Sequence, residues 1–198
     1  YIFQVSLNNI KTKALQNQFG NFVQGPIILE PKVIEDSRGY FFESWDQKSI
    51  KNFLCESLVF TKDCYSFSKK GVLRGLHFQI PPFEQEKIIS CISGEIFDVI
   101  VDLRKNSPTY KSYISLKLDE NENKQLFIPK GFAHGFLTIS SNAKVFYKIS
   151  GSYSYQFQRS LKWDDKELNI KWPLKDLRPI LSTRDNKAKT LIELEKEI

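Results

Sequence analysis

Several residue types that would identify a site are scarce in this chain. Its 198 residues include no methionine, two histidines and three cysteines. Because the cysteines are odd in number and form no C-x-x-C pair, we expect neither a zinc ribbon nor a full disulfide framework. We expect Cys55, Cys64 and Cys91 to be reduced and buried.

Long apolar runs are also missing. No run approaches the length that crosses a membrane, and the first residues lack the basic region, apolar stretch and cleavage site of a secretory signal. We therefore expect a cytoplasmic protein with no membrane partner.

Charge of one sign is only slightly in excess. The formal net charge is +6 and is spread along the chain, which favours a solvated surface first and an anionic ligand second, and gives no reason to expect nucleic acid. The length and the 41% hydrophobic content suit one domain with a sizeable core. Aromatic residues make up 14% of the chain and favour a β fold, because flat side chains pack well on pleated surfaces.

The pattern along the chain predicts one mostly antiparallel β domain at residues 26–185. Residues 1–25 are polar and aperiodic, so we interpret them as an N-terminal extension with little core. Short helices are predicted at 46–54 and 164–168. Residues 186–198 are predicted to form a charged helical tail packed on the same domain.

One predicted strand, at residues 95–104, shows a clear alternation. Phe97 and Val99 fall on one face, whereas Asp98 and Asp102 fall on the other, so we expect this strand to have one wet side. Two further strands are predicted, at 113–118 and 144–150.

The two histidines lie in unusual glycine-containing segments. Arg74 and His77 would lie on opposite faces of a regular strand, but Gly75 between them permits a bulge that turns one of them. We predict that both reach one pocket. The alternative is that Gly75 is a packing glycine beneath a bulky neighbour.

The segment Ile128-Pro-Lys-Gly-Phe-Ala-His134 matches the second motif of the cupin barrels, where proline and glycine turn the chain so that the histidine points inward. The first cupin motif supplies histidines and a glutamate to a metal, but here it reads His77-Phe-Gln79. A carboxamide in place of an imidazole removes a strong ligand, so we expect no metal and no cofactor. Histidines without a metal can act as acid or base near neutral pH.

A series of short strings matches one family in order along most of the chain. With these strings the chain resembles the dTDP-4-dehydrorhamnose 3,5-epimerases. The matching strings are residues 29–32, 36–43, 71–79, 87, 94–98, 101–104, 107–109, 126–136, 147–148, 163–165, 172–173 and 181–185.

The resemblance implies a mainly β cupin jelly roll, a sandwich or barrel with a few short helices, that forms a homodimer in which each subunit lends a strand to its neighbour. It implies a cytoplasmic isomerase without a metal. The substrate would be a nucleotide diphosphate that carries a 4-keto-6-deoxy sugar, and the product would enter a cell-surface polysaccharide.

The resemblance also assigns the chemistry. The C4 ketone acidifies the hydrogens on C3 and C5, so the enzyme needs a base, a group that stabilises the enolate oxygen, and an acid on the opposite face. By match to the family, His77 is the base, Asp185 orients it, Lys87 faces the enolate oxygen and Tyr147 is the acid. The plain alternatives are a cap for the tail helix at Asp185, an edge-strand charge at Lys87 and a barrel aromatic at Tyr147.

Other matched positions are expected to bind the substrate. Arg38 and Glu43 match positions that contact the diphosphate and the base, Arg74 would hold sugar or phosphate oxygens, and His134 would line the same pocket.

Four positions depart from the family pattern: Lys62, Cys64, Gln158 and Arg184. We expect all four to border the sugar or the nucleotide, which leaves the identity of both open. The other functions that the sequence permits are a GDP-linked 4-keto-6-deoxyheptose epimerase, inversion at C3 alone, a 3,4-ketoisomerase on the same fold, a carbohydrate-binding cupin without activity, and a metal-dependent cupin oxygenase.

Overall fold

The chain forms two antiparallel sheets that face each other. The computed structural model describes residues 10–51, 54, 57–175 and 178–198, so Cys55 lies outside the described residues. The strands are β1 (Ile10–Gln16), β2 (Phe22–Pro31), β3 (Ile34–Asp36), β4 (Gly39–Phe41), β5 (Phe60–Lys69), β6 (Leu73–Gln79), β7 (Lys87–Ser93), β8 (Glu95–Asp102), β9 (Tyr113–Asp119), β10 (Gln125–Ile128), β11 (Phe132–Thr138), β12 (Asn142–Ser150) and β13 (Gln158–Ser160). The helices are α1 (Gln47–Lys51), α2 (Thr183–Asn186) and α3 (Leu191–Leu194), and a 3₁₀ turn spans Tyr155–Phe157.

One sheet has six strands in the order β1-β2-β10-β7-β12-β5, and the other has five in the order β13-β6-β11-β8-β9. Strands β3 and β4 form a separate hairpin. Apolar side chains of both sheets, such as Ile89, Val145, Ile100 and Phe136, interdigitate between them to form the main core. The mainly β architecture expected from the sequence is confirmed.

Strand β8 is buried on both faces, which corrects the expectation of a wet side. Asp98 is 0% exposed and Asp102 is 1% exposed. The Asp face points into the sandwich, and the opposite face, with Val99 and Val101, packs beneath the C-terminal segments. Asp102 tolerates burial because Arg104 and two hydroxyl groups donate hydrogen bonds to its carboxylate.

The chain after β13 covers the outer face of the five-stranded sheet. Leu161, Leu168, Leu191 and Leu194 pack there against residues of β6 and β8. The helix predicted near 164–168 is only a set of turns.

One side chain explains why residues 164–168 form turns instead of the predicted helix. Asp165 Oδ1 accepts hydrogen bonds from the amides of Glu167 and Leu168, and Asn169 ends the turns with a φ of 46°. Of the predicted helical tail at 186–198, Asn186 ends α2 and Leu191–Leu194 form α3. Within the helix predicted at 46–54, the structure has α1 at Gln47–Lys51.

The described part of the predicted N-terminal extension joins the six-stranded sheet. Strand β1 pairs along β2 as the edge strand, and Val23 is 4% exposed within the main core. Edge strands keep polar residues because one side faces water, which explains the aperiodic composition. The boundary at residue 25 falls inside β2, and the division of the chain into segments stays a prediction.

Cys64 and Cys91 are free thiols. Cys91 is buried, and burial raises its pKa to about 11. Cys64 is only half-buried, unlike the expectation. Within the described ranges, no helix is long and apolar enough to span a bilayer; the cytoplasmic location stays a prediction.

Candidate active site

A cavity of about 710 Å³ opens between the two sheets. All four residues predicted to be catalytic line it: His77, Lys87, Tyr147 and Asp185. Four of the predicted binding residues line it as well, namely Arg74, His134, Gln158 and Arg184. The sandwich therefore brings together residues from β6, β7, β11, β12, β13 and α2.

Two glycines allow strands β6 and β11 to approach closely at the floor of the cavity. Gly75 has a φ of 125°, and a Cβ there would lie 2.5 Å from Gly135 Cα and 2.8 Å from the His134 carbonyl oxygen. The register between the strands shifts beside this contact. Arg74 and His77 both line one cavity, which confirms that prediction. Gly75 packs against the backbone of Gly135 and not beneath a bulky neighbour.

His77 is held by a carboxylate from a distant part of the chain. Its Nε2 lies 2.5 Å from Asp185 Oδ1, and Asp185 is only 3% exposed. Asp185 also receives a weak 3.5 Å contact from the Gly75 amide. Ser182 caps α2 and Thr190 caps α3, so the alternative role of Asp185 as a cap for the tail helix is wrong.

Burial and neighbouring charges shift the pKa values of His77 and Asp185. Burial lowers the pKa of His77 below its usual value; the hydrogen bond to Asp185 opposes this, and the charges of Arg184 and Lys87 lower it further. Burial alone would raise the pKa of Asp185, but hydrogen bonds from His77 and Ser182 outweigh it, so the pKa is lowered. The pair is therefore a neutral imidazole beside a carboxylate near neutral pH.

Lys87 begins β7 and reaches under His77, where its Nζ lies 3.4 Å from the His77 carbonyl oxygen. Burial lowers the pKa of Lys87 to about 8, although Asp98 opposes the shift. Lys87 is therefore a cation at neutral pH whose charge is weakly solvated. Such a charge strongly stabilises a negative charge that develops nearby.

Tyr147 projects from β12 into the same cavity. Its hydroxyl lies 3.0 Å from Ser66 Oγ on β5. Burial raises the pKa of Tyr147 to about 12, against the hydrogen bond from Ser66. The phenol is therefore protonated throughout the neutral range and can donate a proton.

A second histidine and carboxylate pair lies deeper. His134 Nε2 lies 2.8 Å from Asp98 Oδ2, and both side chains are buried. In the described part of the chain, Asp98 Oδ1 has no hydrogen-bond partner. The sequence interpretation missed Asp98 because the alternation of β8 placed its aspartates on a face expected to meet water, whereas Asp98 is 0% exposed.

Gln79, which stands where a cupin metal ligand would be, is bound by backbone groups. Its amide nitrogen donates to the carbonyl oxygens of Phe83 and Ser152, and its oxygen accepts from the Ser154 amide. The described residues contain no group of three or more His, Cys, Asp or Glu side chains arranged for a metal.

The remaining predicted binding residues lie at different distances from the cavity. Arg74 is fixed by Ser68 Oγ at 2.9 Å and by the Phe67 carbonyl oxygen at 3.0 Å. Lys62 lies outside the lining but 6.0 Å from the centre of the Tyr153 ring, which does line it.

Arg38 and Glu43 are not brought into the cavity of their own chain. Arg38 lies on the turn of the β3–β4 hairpin, where its side chain is 78% exposed and pairs with Asp36. Glu43 is exposed just after β4.

Comparison with known proteins decides the family. The family model of dTDP-4-dehydrorhamnose 3,5-epimerase matches residues 21–193. The dTDP-4-dehydrorhamnose 3,5-epimerase of Salmonella typhimurium is 45% identical over 165 residues, which cover 83% of this chain and 90% of that protein. The chain belongs to the dTDP-4-dehydrorhamnose 3,5-epimerase family.

Solved structures of relatives agree with this assignment. A crystal structure of dTDP-6-deoxy-D-glucose-3,5-epimerase from Legionella pneumophila, in complex with dTDP-4-keto-L-rhamnose, is 37% identical with a TM-score of 0.85 and covers 94% of this chain and 96% of that chain. A 3′-monoepimerase of Streptomyces bikiniensis in complex with dTDP-quinovose is 31% identical with a TM-score of 0.82, with 88% of each chain covered. The predicted cupin jelly roll and the isomerase class are confirmed for this member of the epimerase family.

Proposed function

We propose that this epimerase inverts C3 and C5 of a dTDP-linked 4-keto-6-deoxy sugar, converting dTDP-4-dehydro-6-deoxyglucose to dTDP-4-dehydrorhamnose. The observation that carries the proposal is the His77–Asp185 pair, with Lys87 and Tyr147 in one cavity. The proposed chemistry uses protein side chains alone, without a cofactor.

His77 is the proposed base. As the neutral form it takes the proton from C3 or C5, and Asp185 stabilises the imidazolium that forms. The electron pair of the broken C–H bond forms a double bond to C4 of the sugar, and a pair of the C4 carbonyl moves onto its oxygen. Lys87 stabilises the resulting enolate oxygen.

Tyr147 is the proposed acid. It gives its phenolic proton to the opposite face of the same carbon, the electron pair returns from the oxygen, and the ketone is restored with inverted configuration. The phenolate that remains is reprotonated from solvent, and the His77 imidazolium releases its proton to solvent, which restores both groups for the next inversion. The high pKa of Tyr147 keeps the phenol ready for this step.

Binding of the diphosphate requires positively charged side chains. Arg74 and Arg184 line the cavity, and Lys62 lies beside Tyr153 at its edge. His134 and Gln158 are proposed to contact the sugar or the nucleotide.

Arg38 and Glu43 are proposed to serve the cavity of a partner subunit. In their own chain they lie on an exposed hairpin outside the cavity, so a homodimer would give them a role.

Proton NMR in deuterium oxide tests the proposed reaction. With dTDP-4-keto-6-deoxyglucose, the wild-type protein should place deuterium at C3 and C5 while C4 stays a ketone, and His77→Ala should lose this exchange. Ligand binding without exchange would instead support the carbohydrate-binding function, and a carbonyl moved to C3 would support the ketoisomerase.

Inversion at C3 alone is the second candidate, because a 3′-monoepimerase is 31% identical to this chain. The same spectra separate the two functions, since a monoepimerase exchanges the C3 position only. If dTDP substrates give no exchange, GDP-4-keto-6-deoxyheptose is the next substrate to assay.

A further inference from the structure

The guanidinium group of Arg184 lies on the imidazole of His77. Its Nη2 is 2.8 Å from Nδ1 and 2.5 Å from Nε2, and its Nε is 3.6 Å from Asp185 Oδ1. Arg184 precedes Asp185 in α2, and its side chain is 47% exposed, whereas that of Asp185 is 3% exposed. The arginine is therefore free to turn while the carboxylate is fixed.

The contact determines the protonation of the ring. A guanidinium carries only donors and stays charged, and an imidazolium has two N–H groups and no acceptor. Because Nε2 faces the Asp185 carboxylate, it carries the proton of the neutral ring. The guanidinium lies against the ring, close to both nitrogens. Arg184 thus blocks the approach of a substrate to the imidazole and disfavours a second proton on it.

We propose that Arg184 covers the imidazole of His77 and moves to the diphosphate of the substrate as the substrate binds. Arg184 is then a positioning residue that exposes His77 only when an anion is present. This inference rests on the proposed function of His77 as the base and of a nucleotide diphosphate as the ligand.

Two physical arguments support the movement. When His77 takes a proton, the guanidinium and the imidazolium become like charges in contact, so the two groups have to separate. The diphosphate also offers the guanidinium a bidentate acceptor, which a single ring nitrogen does not.

Three other titratable groups lie around His77. Asp185 and Lys87 face it from α2 and β7, and His134 lies opposite it on β11. A substitution of Arg184 therefore removes one charge next to His77 and leaves Asp185, Lys87 and His134 unchanged.

The titration of His77 tests the contact with Arg184 in the free protein. Arg184→Gln should raise the pKa of His77, because a positive charge is removed while Asp185 and Lys87 remain. Lys187→Gln removes an equal charge just after α2 and should leave the pKa unchanged. The measurement is an NMR pH titration of the imidazole signals; the chain has only two histidines, and His77→Ala assigns them.

The movement is tested by adding dTDP, and GDP as a second probe. In the wild type, the nucleotide should raise the pKa of His77 more than it does in Arg184→Gln, because the wild type also loses the contact with the cation. A crystal structure of the dTDP complex should show the guanidinium on a phosphate and away from Nδ1. Equal pKa values in wild type and Arg184→Gln, equal nucleotide-induced shifts, or no shift with either nucleotide would overturn the proposal.

Kinetics provide a readout that a merely structural role would not change. Arg184→Gln should raise KM on the order of tenfold and move the acid limb of kcat/KM to higher pH, and Arg184→Lys should restore part of both. The imidazole titrations need no turnover, so a failure of deuterium exchange would contradict the proposed function without deciding the role of Arg184.

Discussion

At the residue scale, the site depends on how burial sets the charge of each group. His77 is half-buried, and this burial together with the charges of Arg184 and Lys87 lowers its pKa against the effect of Asp185. Lys87 is half-buried without a carboxylate partner in the ion pairs of the described chain, and burial lowers its pKa. Tyr147 is half-buried, and burial raises its pKa, which keeps it protonated. Three groups of different chemistry are thus ready for the three tasks of an enolate reaction.

The pH profile of kcat/KM should be bell-shaped. The base needs neutral His77, whose pKa is lowered, so activity should fall on the acid side only below about pH 6.5, the usual histidine value. The enolate needs charged Lys87, so activity should fall on the alkaline side with an apparent pKa of about 8.

Substitution of Lys87 checks the assignment of the alkaline limb. Lys87→Arg keeps the charge at all accessible pH values, so the alkaline limb should disappear even if kcat is lower. Lys87→Met should lower kcat by about 10²–10³ at every pH. An alkaline limb that persists in Lys87→Arg would show that another group titrates there.

Tyr147→Phe should separate proton abstraction from inversion. Without the phenol, His77 still removes the proton and can return a deuteron to the same face, so exchange continues without inversion. We expect inversion to fall by about 10²–10⁴, as measured by NMR of the product against deuterium incorporation. Tyr155→Phe is the matched control, because Tyr155 is 82% exposed and does not line the cavity, so both rates should stay unchanged.

At the element scale, the approach of β6 to β11 fixes the direction of the base. Gly75→Ala would put a Cβ against the backbone of Gly135, whereas at Gly71, also with a positive φ, a Cβ meets nothing within 4 Å. Gly71→Ala should therefore cost about 1 kcal/mol through backbone strain alone. Gly75→Ala should cost an additional 1–3 kcal/mol or so and most of the activity.

Thermal unfolding of the two variants measures the difference. If Gly71→Ala and Gly75→Ala lower the Tm equally, the close contact between the strands contributes nothing beyond the positive φ.

The elements also show what the sequence could and could not predict. Alternation located β8, β9 and β12, because their residues follow a period of two. It misassigned the environment of Asp98, because local periodicity does not report the C-terminal segment that covers the other face of β8. The motifs located His77, Lys87, Tyr147 and Asp185, but no local signal placed Arg184 on His77, since that contact depends on the docking of α2 against β6.

At the scale of the whole molecule, one sheet exposes a set of large apolar side chains. Tyr65, Phe67 and Ile92 are 71%, 54% and 48% exposed, and the first two point away from the cavity because Cys64 and Ser66 face it. The β3–β4 hairpin adds exposed Tyr40 and Phe41. Such a surface suits a second copy of the chain.

Subunit mixing tests whether Arg38 acts in the partner's cavity. Arg38→Ala and His77→Ala homodimers should both be weak or inactive. A mixed dimer would have one intact cavity, with His77 from one chain and Arg38 from the other, so co-expression in equal amounts should restore about a quarter of wild-type activity. If Arg38 acts within its own chain, the mixture should gain nothing.

The docking of α2 also has a consequence for protein synthesis. His77 and Asp185 stand 108 residues apart, so a ribosome makes the base long before it makes the carboxylate. A nascent chain that already holds β6, β7 and β12 has an imidazole, an ammonium and a phenol, but no group to orient the imidazole. Truncated translation products therefore lack the assembled pair, and the appearance of epimerase activity during synthesis would report the moment at which residues 181–185 fold onto β6.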